Sequence, residues 1–190
     1  MSEASANPGA AGPGHPPSDE QLMRAVSQGA PEALAELSDR YQQPVFGFFR
    51  RRVADSSDAE KLTRETFLLM VRGAARYQPR ALFRTYLYAI GFRILRAHRR
   101  KAAIRAVFFR TAAKSCEPGI ADARGAAVLL RQAIRRLGPT EREILMLREF
   151  EQLSYGEIAE LLRLPVSTVR SQLFRARRAL RELAESEERA

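Results

Sequence analysis

The sequence predicts an all-α protein made of two small helical domains that a flexible linker joins. Three observations favour this fold class. Apolar residues recur every three or four positions, Ser and Thr stand before Glu or Gln at helix-start spacing, and no segment alternates apolar and polar residues as a β-strand does. Gly and Pro are mostly confined to the first seventeen residues and a few joints, which leaves long stretches free to form helices.

Helices are expected at about 19–28, 31–52, 58–73, 82–101, 127–137, 141–150, 155–162 and 167–184. Several starts fit a capping box, in which a hydroxyl accepts a backbone N–H and the side chain three positions later reaches back. These pairs are Ser18 with Gln21, Ser57 with Glu60, Thr140 with Glu143, and Ser154 with Glu157. Pro31 suits the first turn of the second helix, where a missing N–H costs nothing.

Composition divides the chain into a tail, two helical blocks and the segment between them. The tail is rich in Pro, Gly, Ala and Ser and is predicted to be disordered. Within the linker, Val107–Phe109 either extend the preceding helix or dock on a partner. The predicted divisions are a tail at 1–17, a first domain at 18–101, a linker at 102–126 and a second domain at 127–185.

Three features of the sequence predict a cytoplasmic protein. Cys116 is the only cysteine, so no internal disulfide can form and a reducing compartment is expected. The tail lacks the basic start and apolar core of a signal peptide. No apolar run approaches the ~18 residues that a membrane span needs, so no direct membrane insertion is expected.

Positive charge is concentrated in the middle of the chain. The net charge is +10, from 32 basic and 22 acidic residues. The segment between Glu65 and Glu117 has twelve basic residues and no acid, which leaves 20 basic against 22 acidic residues elsewhere. Such a segment predicts a polyanionic partner. The alternative is a solvated basic surface that has no partner.

The C-terminal block has the pattern of a helix-turn-helix. A short helix, the tight corner "RLPV" and a longer basic helix follow one another, and Ser167 is expected to cap the longer helix. An apolar stripe of Val169, Leu173, Ala176, Leu180 and Leu183 would face inward. In such motifs the second helix lies in the major groove of DNA. The residues on or beside its exposed face are Ser167, Thr168, Arg170, Ser171, Phe174, Arg175 and Arg178. The alternative is a helical hairpin with a solvated face.

The stretch "LSYGEIAELLRLPVSTVRSQLFRARRALREL" resembles region 4 of the extracytoplasmic-function (ECF) group of sigma-70 family sigma factors. The resemblance implies that this helix recognises the −35 element of a promoter, through Arg170, Ser171, Phe174 and Arg175. Arg163 stands where the family often has Gly at a helix end. Because Arg tolerates the left-handed conformation poorly, this corner is expected to be strained or differently closed.

The first block resembles region 2 of the same family. The match begins in "DEQLMRAVSQGAPEALAELSDRYQQPVFGFFRRRV", with Leu22, Leu34, Leu37, Tyr41 and Val45 as core, and continues in "DAEKLTRETFLLM". By resemblance, the second stretch binds the clamp helices of the polymerase β′ subunit through Asp58, Glu60, Glu65 and Phe67. Lys61 and Arg64 depart from the family pattern, which commonly has an acid and Gln there.

The stretch "FRTYLYAIGFRILRAHRRK" resembles the segment that recognises and melts the −10 element. Aromatic rings can stack on an unpaired base, and arginines can grip phosphates. The residues expected to act there are Thr85, Tyr86, Phe92, Arg93, Arg96 and Arg100, and all but Tyr86 are expected to face outward. Tyr86 and Arg93 replace the Trp and Asn that are usual in the family. Ordinary packing is the alternative for Tyr86 and Tyr88.

The resemblance implies an ECF sigma factor that brings core RNA polymerase to promoters and opens DNA at −10. Its expected partners are core polymerase, through the β′ clamp helices and the β flap, promoter DNA, and an anti-sigma factor.

The sequence suggests neither an enzyme nor a cofactor or small-molecule substrate. The only histidines are His15 and His98, no Cys/His set has zinc spacing, and no Gly-rich phosphate loop follows a strand. Two other functions remain open. One is a stand-alone helix-turn-helix regulator, whose first domain would usually be α/β, and the other is a degenerate sigma paralogue with weakened polymerase binding.

Overall fold

The computed structural model describes residues 16–79, 81–109, 134 and 136–187, and this part of the chain is helical without any strand. The all-α fold class is therefore confirmed. A 3₁₀ turn at Ala74–Arg76 follows the third helix. The helices are α1 Asp19–Ser27, α2 Pro31–Arg50, α3 Ser56–Gly73, α4 Phe83–Phe109, α5 Pro139–Glu149, α6 Tyr155–Leu162 and α7 Val166–Glu187. The tail to residue 15, Cys116 and most of the expected linker and 127–137 helix lie outside the described residues.

Helices α1–α4 form the first domain around an aromatic centre. α2 packs against α1 and α3, and α4 packs against α3 and α2. Phe48, Phe49 and Phe83 are fully buried there, and the rings of Phe48 and Phe49 meet edge to face at 5.1 Å. The predicted core is confirmed, with Leu22, Leu37 and Val45 buried and Leu34 and Tyr41 packed at its edge.

Helices α5–α7 form the second domain, in which α7 packs against both α5 and α6. The predicted inward stripe of α7 is confirmed where side chains are described. Val169, Leu173 and Ala176 are buried, and Leu180 is half-buried at the end of the stripe. Because this stripe faces α5 and α6, the opposite side of α7 is left exposed.

Two of the four predicted capping boxes are confirmed. The Ser18 hydroxyl accepts the Gln21 N–H at 3.3 Å, and the Gln21 side chain accepts the Ser18 N–H at 2.8 Å. At the start of α6, Ser154 and Glu157 make the same reciprocal pair at 3.3 and 2.8 Å. Both pairs satisfy backbone donors that have no partner inside the helix.

The other two predicted boxes are wrong, because each helix begins earlier than expected. The Asp55 carboxylate accepts the Ser57 N–H at 2.7 Å, so α3 begins at Ser56 rather than after a cap at Ser57. α5 begins at Pro139 rather than after a cap at Thr140, and the Glu141 carboxylate accepts the Gly138 N–H at 3.2 Å. Glu143, the expected capping partner of Thr140, instead accepts a hydrogen bond from Arg52 of the first domain.

α4 continues past its expected end at residue 101 and reaches Phe109. The backbone of Val107–Phe109 therefore extends the preceding helix, which was one of the two possibilities. The sequence offers no Gly or Pro between Gly91 and Pro118 to end the helix.

The corner between α6 and α7 contains a left-handed residue, so it is strained, which was one of the two outcomes expected there. Arg163 has φ 56° and ψ 48°, and the Leu164 N–H donates to the Ala159 carbonyl at 2.9 Å to close the turn. A side chain in this conformation costs about 1–2 kcal/mol. The predicted strain is therefore present at a non-Gly residue.

Replacing Arg163 by Gly is expected to raise the free energy of unfolding by about 1 kcal/mol, since Gly adopts the left-handed region readily. Urea denaturation followed by circular dichroism measures the change. Gln172→Gly inside α7 is the matched control and is expected to lower the free energy by about 1 kcal/mol. An Arg163→Gly protein no more stable than wild type would contradict the strain assigned to this corner.

Candidate nucleic-acid interface

The exposed side of α7 carries the residues that the sequence assigns to DNA. Phe174 is 66% exposed although it is a large apolar side chain. Thr168 is half-buried, and the other six predicted residues are exposed. A shallow concave surface on this side is lined by Val166, Ser167, Arg170, Ser171, Phe174, Arg175 and Arg178. The structure therefore brings all but Thr168 of the predicted −35 set together on one concave face, and it adds Val166.

The arginines on this face are arranged to bind an external anion. Within the described part of the chain, Arg170 and Arg175 form no ion pair, and Arg178 pairs only with Glu182, at 3.3 Å. The guanidinium of Arg170 lies 5.9 Å from the centre of the Tyr155 ring, which orients it without neutralising it. This arrangement suits contacts with phosphates or base edges.

The predicted cap at Ser167 is wrong. α7 begins one residue earlier, at Val166, and the Val169 N–H donates to the Pro165 carbonyl at 3.1 Å. Ser167 therefore lies within the first turn and is exposed. Its hydroxyl is consequently available to a ligand at the N-terminal end of the helix, where groove-binding helices contact bases.

The residues predicted to act at −10 lie along α4 with different exposure. Arg93, Arg96 and Arg100 are exposed, as predicted, and they line an open groove whose other side is formed by Glu160, Leu161 and Arg163 of the second domain. Phe92 is half-buried, with its ring 5.9 Å from the ring of Phe48. Tyr88 packs in the core, so the packing alternative holds for it, and burial raises its pKa to about 12.

Tyr86 is half-buried at the edge of a basic groove. Its ring lies 4.9 Å from the ring of Tyr77, and a Cβ on Gly73 would stand 2.7 Å from its hydroxyl. Gly73 therefore makes room for this tyrosine. The groove beside it is also lined by Arg72, Arg76 and Arg93. Sequence reasoning missed Arg72 and Arg76 as site residues, although their i, i+4 spacing in the acid-free segment was a usable signal.

The predicted polymerase-binding residues share α3. Glu60 and Glu65 are exposed, whereas Asp58 and Phe67 are half-buried. The Asp58 carboxylate lies 3.7 Å from the Lys61 ammonium and 3.8 Å from Nε2 of His98 on α4. The structure thus places all four on one helix, but Asp58 already has a cation beside it.

Thr85 does not face solvent as predicted, because α6 of the second domain covers it. Its side chain is 3% exposed, and its hydroxyl donates to Oε1 of Glu157 at 2.6 Å. The neighbouring Arg84 donates to both oxygens of the same carboxylate, at 2.9 and 2.8 Å. This bidentate pair joins the first turn of α4 to the start of α6.

A second group of ion pairs joins the end of α2 to the second domain. Arg52 is 2% exposed and donates from Nε to Glu143 at 2.8 Å and from Nη1 to Glu151 at 3.0 Å. Arg51 donates to the same oxygen of Glu151 at 2.9 Å, and its guanidinium lies 4.7 Å from the centre of the Phe150 ring. The two domains are therefore held together by charged groups, and sequence reasoning missed all of these contacts.

The contacts of Glu157 make its ionisation unusually easy. Burial alone would raise its pKa, but hydrogen bonds from Arg84, Thr85 and Ser154 outweigh burial and lower the pKa to about 2. The carboxylate therefore contributes its stabilisation above its usual pKa of about 4.3. That contribution is lost as the pH falls from there through about 2.

A carboxyl-detected NMR titration is expected to give Glu157 a midpoint near 2. In an Arg84→Ala protein the midpoint is expected to move up toward about 4.3, because the main hydrogen-bond donor is gone. A wild-type midpoint for Glu157 near about 4.3, the ordinary value for a Glu side chain, would contradict the pairing.

Comparison with known families matches both domains to one protein family. The family model described as Sigma-70 region 2 matches residues 37–104, and the one described as Sigma-70, region 4 matches residues 127–180. The chain belongs to the sigma-70 family. It is 35% identical over 176 residues to the RNA polymerase sigma-H factor of Pseudomonas aeruginosa, covering 85% of this chain and 91% of that protein. It is 33% identical to the ECF RNA polymerase sigma factor SigC of Mycobacterium tuberculosis, covering 87% and 90%.

A solved structure shows that the fold is shared as well. The sigma factor resembles CnrH, in the structure of CnrH in complex with the cytosolic domain of CnrY, with a TM-score of 0.66 and 22% identity. The match covers 88% of this chain and 97% of that one. The prediction of an ECF sigma factor is confirmed, and this chain directs transcription initiation by RNA polymerase.

Other functions have less support. The stand-alone regulator would usually have an α/β first domain, whereas the described residues of this domain are helical and match sigma region 2. The family acts in transcription regulation rather than as enzymes. Among the described residues, no cluster of His, Cys, Asp or Glu could hold a metal ion. No helix in the same residues is long and apolar enough to cross a membrane.

Proposed function

We propose that this ECF sigma factor divides promoter recognition between α7, which binds the −35 element, and α4, which binds and opens the −10 element. The observation that carries the proposal is the presence of two arginine-rich faces on helices of separate domains. On α7, Arg170 and Arg175 lie beside exposed hydroxyls and Phe174. Such a face offers both hydrogen-bond donors and an apolar contact to base edges in the major groove.

The α4 face offers the groups that strand separation requires. Arg93, Arg96 and Arg100 follow one another along the outer side, and Phe92 and Tyr86 present partly exposed rings beside them. Rings stack on unpaired bases, and guanidinium groups hold the phosphates of the same strand. Arg72 and Arg76 extend the cationic surface around Tyr86, so we assign them to the same strand.

We assign core polymerase binding to the exposed side of α3, with Glu60, Glu65 and the neighbouring Leu68, which is also exposed. Through this contact on α3 the β′ clamp helices hold the first domain. We assign the β flap as the part of core polymerase that holds the second domain.

We also assign an anti-sigma factor as a partner and the cytoplasm as the location. CnrH was solved in complex with the cytosolic domain of CnrY, and the sigma factor RpoE of Bartonella quintana was solved with the anti-sigma factor NepR.

Permanganate reactivity of unpaired thymines separates the two roles within the polymerase complex. Arg96→Ala with Arg100→Ala is expected to reduce reactivity near −10 while the complex still depends on the −35 sequence. Arg24→Ala, an exposed arginine on α1, is the control for loss of a surface cation and is expected to behave as wild type. Normal opening by the double variant would overturn the assignment of α4.

The degenerate paralogue remains a second candidate, because Lys61 and Arg64 are exposed on the polymerase-binding helix. Direct binding to purified core polymerase distinguishes the two. The proposal predicts that the wild-type chain binds core and that Lys61→Glu with Arg64→Gln changes the affinity little. Binding that appears only in the double variant would establish the degenerate paralogue instead.

A further inference from the structure

The start of α4 is held by a side chain of another helix. The Phe83 N–H donates to Oε1 of Glu20 on α1 at 3.1 Å, across 63 positions of the sequence. Leu82 takes the N-cap position, because its carbonyl accepts the N–H of Thr85 at 2.9 Å and that of Tyr86 at 3.3 Å. Its own side chain is a hydrocarbon and offers the backbone no acceptor. An acceptor for the first turn of α4 therefore comes from α1 rather than from the residue that precedes the helix.

The neighbouring residue on α1, Asp19, fixes that helix against α2. Its carboxylate accepts hydrogen bonds from the Tyr41 hydroxyl and, at 2.8 Å, from Nη1 of Arg40. The Tyr41 ring in turn packs edge to face on the ring of Phe83, with 5.2 Å between the centroids. Since Glu20 follows Asp19 directly in the sequence, the position of its carboxylate is set by contacts of α1 with both α2 and α4.

The residue that Glu20 binds also touches the proposed −10 site. The ring of Phe83 lies 6.4 Å from the ring of Tyr86, and the ring of Tyr77 lies 6.3 Å from Phe83 and 4.9 Å from Tyr86. Burial and the nearby Glu20 carboxylate raise the pKa of Tyr77. Glu20 therefore stands beside the group of aromatic rings to which Tyr86 belongs.

Tyr86 depends on the first turn of α4 more than the arginines of the same face do. The helix begins at Phe83, so Tyr86 lies in that turn, whereas Arg93 and Arg96 lie two or more turns further on. The first N–H groups of a helix have no partner inside it, and a partly buried one that loses its acceptor is costly. A binding side chain must also be held close to its productive position. Loss of the Glu20 contact would therefore act first on Tyr86.

We propose that Glu20 is a positioning residue for opening of the −10 element: by binding the Phe83 N–H, it fixes the first turn of α4 and with it the ring of Tyr86. This inference rests on the proposed role of α4. Glu20 acts through Phe83 and does not itself contact DNA. The family model for region 2 matches from residue 37 onward, so α1 precedes the matched segment.

Permanganate reactivity near −10, measured in the complex with core polymerase, tests this role. Glu20→Ala is expected to lower the reactivity about fivefold, the size of effect that loss of one helix cap produces, while dependence on the −35 sequence stays as in wild type. Glu20→Gln is expected to open DNA nearly as well as wild type, because the amide oxygen still accepts the N–H. The control is Glu32→Ala, the same change in the first turn of α2 at an exposed position, and it is expected to behave as wild type.

A cap supplied by α4's own N-terminal neighbour is expected to make Glu20 dispensable. Leu82 is 54% exposed, so Leu82→Ser removes little packing, and the new hydroxyl can accept an N–H of the first turn. Opening by the Glu20→Ala, Leu82→Ser protein is expected to return toward wild type. Leu82→Ser alone is expected to change opening little, because Glu20 already supplies an acceptor. Ser is preferred to Asp here because it adds no negative charge beside the DNA.

Amide hydrogen exchange in the free full-length chain tests the physical cause. Exchange at residues 83–86 is expected to be faster in Glu20→Ala and slower again after the addition of Leu82→Ser, with exchange in α7 unchanged. Exchange in Glu20→Ala equal to wild type would show that the contact does not hold the turn. Faster exchange with normal opening, an equal loss of −35 dependence, or no recovery by Leu82→Ser would each overturn the positioning role.

The Arg96→Ala, Arg100→Ala protein distinguishes failure of this inference from failure of the proposed function. If that double variant loses opening while Glu20→Ala opens DNA as wild type does, the role of α4 stands and Glu20 is not a positioning residue. If the double variant opens DNA normally, α4 is not the −10 helix, and the inference about Glu20 is overturned with it.

Discussion

Replacing Arg170 or Arg175 by Ala is expected to weaken binding of the polymerase complex to the −35 element by about 1–3 kcal/mol each. Both guanidinium groups lie on the exposed side of α7 and form no ion pair in the described residues. No carboxylate in this part of the chain therefore competes with DNA for either arginine. Filter binding or fluorescence anisotropy with promoter duplexes measures the change. The preference for the cognate −35 sequence should fall together with the affinity.

Salt dependence distinguishes base contacts from phosphate contacts in these variants. An arginine that binds only a phosphate contributes about one unit to the slope of log affinity against log salt and little to sequence preference. Arg24→Ala on α1 is the control and should change neither quantity. If both variants kept wild-type promoter affinity, α7 would not be the −35 helix.

Phe48→Ala is expected to lower the free energy of unfolding by about 3–5 kcal/mol, the usual cost of emptying a buried aromatic site. Phe48 is fully buried at the centre of the first domain. Its ring meets Phe49, Tyr88 and Phe92 at centroid distances of 5.1, 5.5 and 5.9 Å, and the Arg52 guanidinium lies 4.0 Å from its centre. Chemical denaturation of the free chain measures the loss.

Phe174→Ala is the matched control, because it makes the same chemical change on an exposed ring. Its effect on the free energy of unfolding is expected to stay within about 0.5 kcal/mol, as for other surface substitutions. The Phe174→Ala substitution is expected instead to weaken affinity for the −35 element, since the ring shares the binding face with Arg170 and Arg175. Equal destabilisation by the two variants would contradict the burial of Phe48.

Local sequence patterns predicted most of the fold, because the physics behind them is local. The stripe of Val169, Leu173 and Ala176 follows from helical periodicity, and the structure buries all three. The capping boxes at Ser18 and Ser154 were predictable for the same reason. The boxes at Ser57 and Thr140 failed because an Asp and a Pro shortly upstream compete for the same helix start.

The predicted site on α7 was almost complete, since its residues lie on one helix and their exposure follows from the buried stripe. The predicted site on α4 was less complete. Thr85 was expected to face outward, and it does leave the core of its own domain, but Glu157 of the other domain covers it. Periodicity identifies the side of a helix that leaves the core; it does not reveal a second domain on that side.

Contacts between the domains were beyond prediction from a single sequence. Arg52 and Glu151 are 99 positions apart, and nothing in their neighbours marks them as partners. Arg52 stands in "FRRRV", where three consecutive arginines give no sign of burial, yet it is 2% exposed. Pairing of such residues depends on the relative placement of two domains, which helix patterns do not encode.

Transcription reconstituted from purified core RNA polymerase, this sigma factor and a promoter template tests the central claim most directly. We expect a transcript with a defined start site that requires the chain and that falls when the −35 or the −10 sequence is changed. A transcript that forms equally without the chain, or a chain that binds core polymerase and gives no promoter-specific start, would contradict the claim.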